Sequence, residues 1–220
     1  AAFGCLAGVA GRGGTGVGPA LFGAVPLARG AVTVNGAVLA INSPRRAVRA
    51  GIALVTEDRK AQGLALNQSV LDNALLVIHG VFASRTGQVR QKIPGVLSSL
   101  EVSSGGLTQE VQYLSGGNQQ KLVLAKWLAA EPRIVIFDEP TRGIDVGAKI
   151  AVYQLMRELA RDGVAILMIS SELPEVIGMS DRILVMHDGR IAAELPAGAS
   201  EENVLLAATG HGNKVEGALA

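Results

Sequence analysis

Aromatic residues and cysteine are both scarce in this sequence of 220 residues. Only 3% of the residues are aromatic although 49% are hydrophobic, so a core must be built mainly from Ala, Val, Leu and Ile side chains. Such a core favours an α/β interior, and the chain is long enough for one domain with a small subdomain. Cys5 is the only cysteine, which excludes an intrachain disulfide and a cysteine-rich zinc or iron–sulfur centre.

Long hydrophobic runs and early acidic residues are also absent. The apolar stretches are broken by Gly, Pro or charge, so none reaches the ~20 residues of a membrane-spanning helix. No basic segment precedes an apolar one, as it would in a secretory signal. The first acidic residue is Glu57, and residues 1–56 carry five arginines. These arginines are scattered, which predicts a solvated surface and no nucleic-acid partner.

Glycine is abundant in the stretch GVAGRGGTGVGPALFG, residues 8–23. Residues 11–16 fit the G-x-G-x-x-G of a dinucleotide site, but no acidic residue follows at about 20 positions to hold a ribose. Residues 8–15 fit the G-x-x-x-x-G-K-[ST] of a P-loop, in which backbone N–H groups face phosphate and Thr15 would offer its hydroxyl to Mg²⁺. The lysine of that motif is replaced by glycine, and a plain glycine-rich turn is the alternative. The glycines that would line the phosphate site are Gly8, Gly11, Gly13 and Gly14.

Apolar strands alternate with helical patterns along most of the chain, which predicts a mostly parallel sheet covered on both faces. Asn-Gly at 35–36 and Asp-Gly at 188–189 predict two hairpins and part of an antiparallel β edge. Glycine and proline behind the glycine loop predict a weak helix there. We divide the chain into a P-loop and β part, an inserted helical subdomain, the rest of the α/β core and a C-terminal tail expected to fray, at residues 1–59, 60–128, 129–196 and 197–220.

Two carboxylates end the apolar stretch IVIFDEP, at Asp138 and Glu139. The carboxyl ends of parallel strands are where open α/β sheets bind ligands. Asp138 would hold a metal ion and its water shell, and Glu139 would orient or deprotonate an attacking water. The alternative is a pair of surface acids at a strand end. It is weaker because Pro140 stops the strand there and TRGID follows.

The stretch LSGGNQQK predicts an anion site at the start of a helix. The hydroxyl of Ser115, the N–H groups of Gly116 and Gly117 and the helix dipole all favour negative charge. Together with the neighbouring motifs, this stretch makes the sequence resemble the ATP-binding-cassette ATPases. LSGGNQQK is similar to their signature motif and IVIFDEP to their Walker B motif. TRGID, with Asp145, is similar to their D-loop. Motif order and spacing agree over most of the chain, which implies a P-loop ATPase fold with an inserted helical subdomain.

TEDRKAQGL, LSGGNQQK, DEPTRGIDVGAK and SSELPEV together resemble one branch of that family. They are similar to the second cassette of the fused two-cassette ATPases of bacterial monosaccharide importers, of the ribose, galactose and xylose type. The resemblance implies Mg²⁺ and ATP as cofactors, and a first cassette and membrane permease subunits as partners. It also implies an indirect link to a sugar-binding protein and a peripheral location on the cytoplasmic face of the inner membrane. We expect further cassette strands to precede Ala1, so that the chain is a fragment.

Three positions depart from a working cassette, and all belong to the chain's own nucleotide site. Gly14 replaces the P-loop lysine, Glu57 stands at the Q-loop glutamine, and Ser171 stands at the switch histidine. The resemblance therefore implies weak binding and slow or no hydrolysis at this site, with Glu139 retained. The signature, formed by Ser115, Gly116, Gly117 and Asn118, would instead close over ATP held by the partner cassette.

Two other functions remain open at this stage. One is a non-catalytic regulatory or assembly module that only binds nucleotide or a partner, and the three departures motivate it. The other is a soluble cassette protein acting on ribosomes or in DNA repair. It is disfavoured because no nucleic-acid patch is evident.

Overall fold

A computed structural model describes residues 3–8, 16–34 and 36–210 of the protein. Its strands are β1 (Phe3–Gly8), β2 (Val32–Val34), β3 (Ala37–Leu39), β4 (Ile52–Val55), β5 (Ile134–Asp138), β6 (Ala165–Ser170), β7 (Arg182–His187) and β8 (Arg190–Pro196). Its α-helices are α1 (Val17–Leu21), α2 (Pro44–Arg49), α3 (Val70–Val81), α4 (Thr86–Ser99), α5 (Gly116–Leu128), α6 (Val146–Arg161), α7 (Leu173–Met179) and α8 (Glu201–Ala208). A π-helical turn covers Arg59–Gly63.

The central sheet has the strand order β4-β5-β6-β1-β7-β8. Every neighbouring pair up to β7 is parallel, and only β8 runs antiparallel to β7. This confirms the mostly parallel sheet predicted from the alternation of strands and helices. Because parallel strands share one direction, the carboxyl ends of β1, β4, β5 and β6 all lie at the same edge.

Both predicted hairpins are present. Strands β7 and β8 are joined by Asp188 and Gly189, whose φ angles of 45° and 75° suit a type I′ turn. Strands β2 and β3 form a separate antiparallel pair in which Val34 faces Ala37. Gly36 in that turn has φ +77°, a conformation that glycine adopts without strain.

The core lies on both faces of the sheet and continues among the helices between β4 and β5. All four residues of β4 are buried, and Phe137 of β5 is fully buried. Helix α5 contacts β4 as well as α3 and α4. Strands β4 and β5 nevertheless pair directly with one another, so the helices that separate them in the chain stand beside the sheet.

The expectation that the chain frays after residue 197 was wrong for residues 201–208, which form helix α8. Ser200 caps this helix by accepting a hydrogen bond from the Asn203 N–H at 3.3 Å. Val204 is fully buried, and the helix packs on β7. A serine cap followed by two acidic residues favours a helix start, and it outweighs the Ala/Gly-rich composition.

None of the helices in the described part of the chain is long and apolar enough to cross a membrane.

Candidate functional site

Four predicted site positions meet at the carboxyl edge of the sheet. Gly8 ends β1, Asp138 ends β5, Ser171 directly follows β6, and Glu57 lies two residues beyond β4. In the sheet, Asp138 is in register with Ile169 of β6. The remaining predicted positions of the glycine loop lie outside the described residues; these are Gly11, Gly13, Gly14 and Thr15.

Asp138 is a buried carboxylate at this edge. Its side chain is 7% exposed, and its Oδ1 atom has no hydrogen-bond partner in the structure. Burial, together with the nearby charges of Glu57 and Glu139, raises the pKa of Asp138 to about 6. A buried carboxylate oxygen without a partner is costly, so this atom is ready to accept a cation.

Helix α1, which follows the glycine loop, approaches Asp138 closely at Gly18. A Cβ atom at Gly18 would lie 3.5 Å from the Asp138 Oδ2 atom and 3.2 Å from the Ile169 Cδ1 atom. A larger residue at position 18 would therefore push α1 away from the sheet. The helix is only five residues long, which confirms the weak helix predicted from its glycines and proline.

Glu57 forms an ion pair with Arg142, which lies in the turn after Asp138 and Glu139. The sequence placed Glu57 at the Q-loop glutamine position and indicated no partner for its side chain. The two residues are 85 positions apart in the chain, so no local pattern signals the contact. The one signal in the sequence was the cation Arg142, which follows the two acidic residues Asp138 and Glu139.

Glu139 adopts a left-handed backbone conformation with φ +48°. Its N–H donates to the Ile169 carbonyl oxygen at 2.9 Å, and its own carbonyl oxygen accepts from the Arg142 N–H at 3.2 Å. This conformation is uncommon for a non-glycine residue. The turn thus holds Glu139, which is half-buried, at the end of the strand beside Asp138.

Behind this edge lies a buried carboxylate that sequence reasoning missed. Glu175 is 4% exposed, and its Oε2 atom accepts hydrogen bonds from Ser170 Oγ at 2.6 Å and Thr141 Oγ1 at 3.3 Å. Burial raises the pKa of Glu175. The contact ties the end of β6 to the turn after β5, and so supports the segment that carries Ser171. Ser171 itself is exposed.

The signature begins helix α5 as the sequence predicted. The Ser115 Oγ atom accepts hydrogen bonds from the Asn118 N–H at 3.3 Å and from its side-chain amide at 3.1 Å. The Asn118 Oδ1 atom in turn accepts from the Ser103 N–H at 2.9 Å. Ser115 is exposed, and the first turn of α5 carries no acidic residue. The N–H groups of Gly116 and Gly117 at this helix start are free of a competing side-chain carboxylate.

Two contacts join the signature helix to the segment after β5. The Gln120 side-chain amide donates to the Pro140 carbonyl oxygen at 3.2 Å. A Cβ atom at Gly117 would lie 3.7 Å from the Ala148 Cβ atom. Asp145, which the resemblance places in the D-loop at the nucleotide-binding site, caps helix α6 by accepting a hydrogen bond from the Ala148 N–H at 3.0 Å.

The chemistry of this edge fits Mg²⁺ bound together with phosphate. Among residues 3–8, 16–34 and 36–210, no group of three His, Cys, Asp and Glu side chains is placed to hold a metal. Mg²⁺ usually keeps several waters and takes one or two carboxylates plus substrate phosphates. The Oδ1 atom of Asp138, which has no hydrogen-bond partner, would supply one such carboxylate ligand.

Comparison with known proteins agrees with these features. The sequence profile of the family described as ABC transporter matches residues 4–142. The chain is 49% identical over 212 residues to the ribose import ATP-binding protein RbsA of Lactococcus lactis subsp. cremoris, covering 93% of this chain and 43% of that protein. It is 50% identical over 211 residues to the ribose import ATP-binding protein RbsA 2 of Streptomyces avermitilis, covering 93% of this chain and 42% of that protein. The chain thus spans less than half the length of these relatives.

The fold resembles solved ATP-binding cassettes. A crystal structure of a nucleotide-free cassette from an ABC transporter superposes with a TM-score of 0.76 at 20% identity, covering 93% of this chain and 84% of that one. This likeness establishes the cassette type of P-loop fold. Motif order, the family match over more than half the sequence and the close relatives lead to one conclusion: this chain belongs to the ABC transporter family, as an ATP-binding-cassette ATPase domain.

Proposed function

We propose that this chain is the second cassette of a fused two-cassette ATPase that drives monosaccharide uptake in bacteria. The observation that carries the proposal is a complete signature at the start of α5, with Ser115 exposed, in a chain whose own P-loop has Gly14 at the lysine position. The signature half-site thus keeps the groups that bind phosphate, whereas the P-loop half-site lacks its lysine. The ribose import relatives support a sugar of the ribose type as cargo, and the motif resemblance extends this proposal to galactose and xylose.

The charges at the sheet edge support a weak nucleotide site there. Asp138, Glu57 and Glu139 stand close enough for the latter two to raise the pKa of the first. Arg142 compensates Glu57, but the phosphate lysine that would offset the remaining charge is absent from the sequence. A polyanionic nucleotide therefore meets net negative charge unless Mg²⁺ accompanies it.

The signature acts on a nucleotide held by the first cassette in this proposal. Ser115, Gly116, Gly117 and Asn118 close over its phosphates, and Asp145 lies at the same interface. ATP brings the cassettes together, and the segment after Glu57 with helices α3 to α5 transmits the movement to the permease. The assembly sits at the cytoplasmic face of the inner membrane, and the sugar is delivered by a binding protein.

Replacing Ser115 tests this function. In the native assembly purified through a tag on this chain, Ser115→Arg places a bulky cation over the signature and is expected to abolish Mg²⁺-ATP hydrolysis. Ser98→Arg is the matched control, because Ser98 is exposed on α4 outside the signature and should leave turnover within about twofold. Unchanged turnover in the Ser115 variant would rule the proposal out.

The second candidate is a non-catalytic regulatory or assembly module, and the pairing of Glu57 with Arg142 favours it. That ion pair occupies the side chain that would otherwise contact the metal's water. The purified chain alone would then show no Mg²⁺-ATP hydrolysis above buffer. A measurable rate that disappears in Glu139→Gln would refute an inactive site and this candidate with it.

A further inference from the structure

Arg59 stands beside the first residue of the signature helix. A Cβ atom at Gly116 would lie 3.0 Å from the Arg59 Nη2 atom and 3.9 Å from its Cζ atom. The guanidinium thus occupies the space that a side chain at position 116 would need. The glycine of the signature therefore has a second role here: it leaves room for a cation next to the N–H groups that begin α5.

The backbone that carries Arg59 is held by local hydrogen bonds. Arg59 begins the π-helical turn that ends at Gly63. The Asp58 side chain caps this turn, accepting from the N–H groups of Lys60 and Ala61 at 3.0 Å each. The Gln62 N–H donates to the Asp58 carbonyl oxygen at 2.9 Å. The turn is therefore ordered without help from a ligand.

The far end of the same turn is fastened to α5. Lys126 donates from its Nζ atom to the Gly63 carbonyl oxygen at 2.5 Å. A Cβ atom at Gly63 would lie 3.1 Å from the Val123 Cγ2 atom, so the turn packs closely against α5 at this point. With contacts at both ends, the turn lies along the signature helix, and the Arg59 side chain is placed at the helix start.

Within the described part of the chain, no acidic side chain neutralises the positive charge of Arg59. Arg59 forms no ion pair there, and its buried Nε atom has no hydrogen-bond partner. Lys121, the cation within the signature, is engaged by Glu101 through its carbonyl oxygen at 3.0 Å and its carboxylate at 3.8 Å. An uncompensated guanidinium beside a helix start is unfavourable, because the helix dipole is positive at that end.

We propose that Arg59 is a phosphate-binding residue of the signature half-site, and that it donates to the terminal phosphate of the nucleotide held by the partner cassette. This inference rests on the proposed function. An anion resolves both observations: it pairs the free guanidinium and offsets the positive helix end. A guanidinium fits a phosphate with two parallel donors, which the neutral hydroxyl and amides of the signature cannot supply.

The test compares three variants in the native assembly with Mg²⁺-ATP as the probe. Arg59→Met removes the charge and keeps much of the packing, and should lower kcat/KM about 10- to 100-fold. Arg59→Lys restores a cation and should recover most of the loss. Arg190→Met removes the same charge from an exposed position on β8, away from the signature and from the segment after Glu57, and should stay within about twofold of the parent. The thermal midpoints of all three should agree with the parent.

Each other outcome is decisive. Full activity in Arg59→Met, alongside loss in Ser115→Arg, would overturn the phosphate role while leaving the proposed function intact. An equal loss in Arg59→Met and Arg59→Lys with a lowered thermal midpoint would show that Arg59 only supports the fold, and would also overturn it. If Ser115→Arg keeps its turnover, both the proposed function and the role of Arg59 fail together.

Discussion

The buried ammonium of Lys126 donates a hydrogen bond of 2.5 Å to the Gly63 carbonyl oxygen, 63 positions earlier in the chain. Lys126 is 6% exposed, and its Nζ atom lies 5.3 Å from the centroid of the Trp127 ring. Burial lowers its pKa from 10.5 to about 8. The contact links the turn that follows Glu57 to the signature helix, and its cost in desolvation can be measured.

The pH dependence of stability should reveal Lys126. Between about pH 8 and 10.5 the unfolded chain holds the Lys126 proton more tightly than the folded chain does. The free energy of unfolding contributed by this group therefore rises with pH across that window, by about 1–3 kcal/mol. Lys126→Met should remove this rise, as urea unfolding of both proteins at several pH values would detect.

Lys149→Met is the control for that measurement, because the pKa of Lys149 is raised by its hydrogen bond to Glu172. Its contribution is present below its unfolded pKa and is lost as pH rises through its folded pKa, so its difference curve runs in the opposite direction. Difference curves of the same sign for the two variants would contradict the assignment.

Asp138→Asn should stabilise the nucleotide-free protein and remove its response to Mg²⁺-ATP. The raised pKa means that the charged carboxylate is disfavoured in the folded state, so this group's contribution to stability falls as pH rises from about 4 to about 6. At pH 7 the variant should gain about 1 kcal/mol, allowing for solvent screening. Differential scanning calorimetry with and without Mg²⁺-ATP measures both effects. A destabilised variant would show that Oδ1 has a partner.

Removing Glu57 should lower the pKa of Asp138 more than removing Glu139 does. Burial contributes most to the raised pKa of Asp138, the Glu57 charge contributes less, and the Glu139 charge contributes least. Carboxyl-carbon NMR titrations of Asp138 in Glu57→Gln and Glu139→Gln report the two midpoints directly. The reverse order would mean that the Arg142 ion pair already cancels the field of Glu57.

Much of the architecture was predictable because it depends on short-range patterns. The apolar run ending at Asp138, the Asp188–Gly189 turn and the helix start after Ser115 are each encoded within a few residues. Each was placed correctly from the sequence. A run of buried aliphatic residues can satisfy its backbone only in a sheet or a helix, and the flanking glycine or proline decides where it ends.

The parts that were missed depend on pairings between distant segments. Arg142 meets Glu57 and Thr141 meets Glu175 only because the sheet brings β4, β5 and β6 side by side. The position of Arg59 depends on how its turn lies along α5. No periodicity specifies which side chain fills the space left by a glycine, so these contacts cannot be predicted from local sequence patterns. The role of Asp145 as a helix cap was available from its spacing to Ala148 but was not considered.

Gly14→Lys should strengthen nucleotide binding by the purified chain. The substitution supplies the cation that the P-loop pattern lacks, and a charge-assisted contact to phosphate is expected to tighten Mg²⁺-ATP binding about 10-fold. Gly16→Lys is the matched control, because Gly16 is exposed with no atom within 4 Å of a Cβ at that position. Isothermal titration calorimetry compares the two. Equal affinities would argue that position 14 does not face the phosphates.

Gly23→Ala should destabilise the protein more than Gly30→Ala does. Both glycines have positive φ, at 73° and 91°. A Cβ at Gly23 would lie 2.8 Å from the Ile41 Cγ2 atom and 2.9 Å from the Ser43 nitrogen, whereas nothing lies within 4 Å at Gly30. Gly30→Ala should cost about 1–2 kcal/mol of conformational strain, and Gly23→Ala should exceed this. Urea midpoints that coincide would contradict the crowding at Gly23.

The strand order has a consequence for how this chain is made. Strand β1 precedes every other described element, yet both of its neighbours, β6 and β7, come from the last third of the chain. During synthesis, β1 has no neighbouring strand to pair with until β6 and β7 have been translated. Closing such distant contacts slows folding, and a waiting strand is prone to aggregate. Of the described strands of this sheet, β1 therefore leaves the ribosome before the others and can pair only after β6 and β7 have been made.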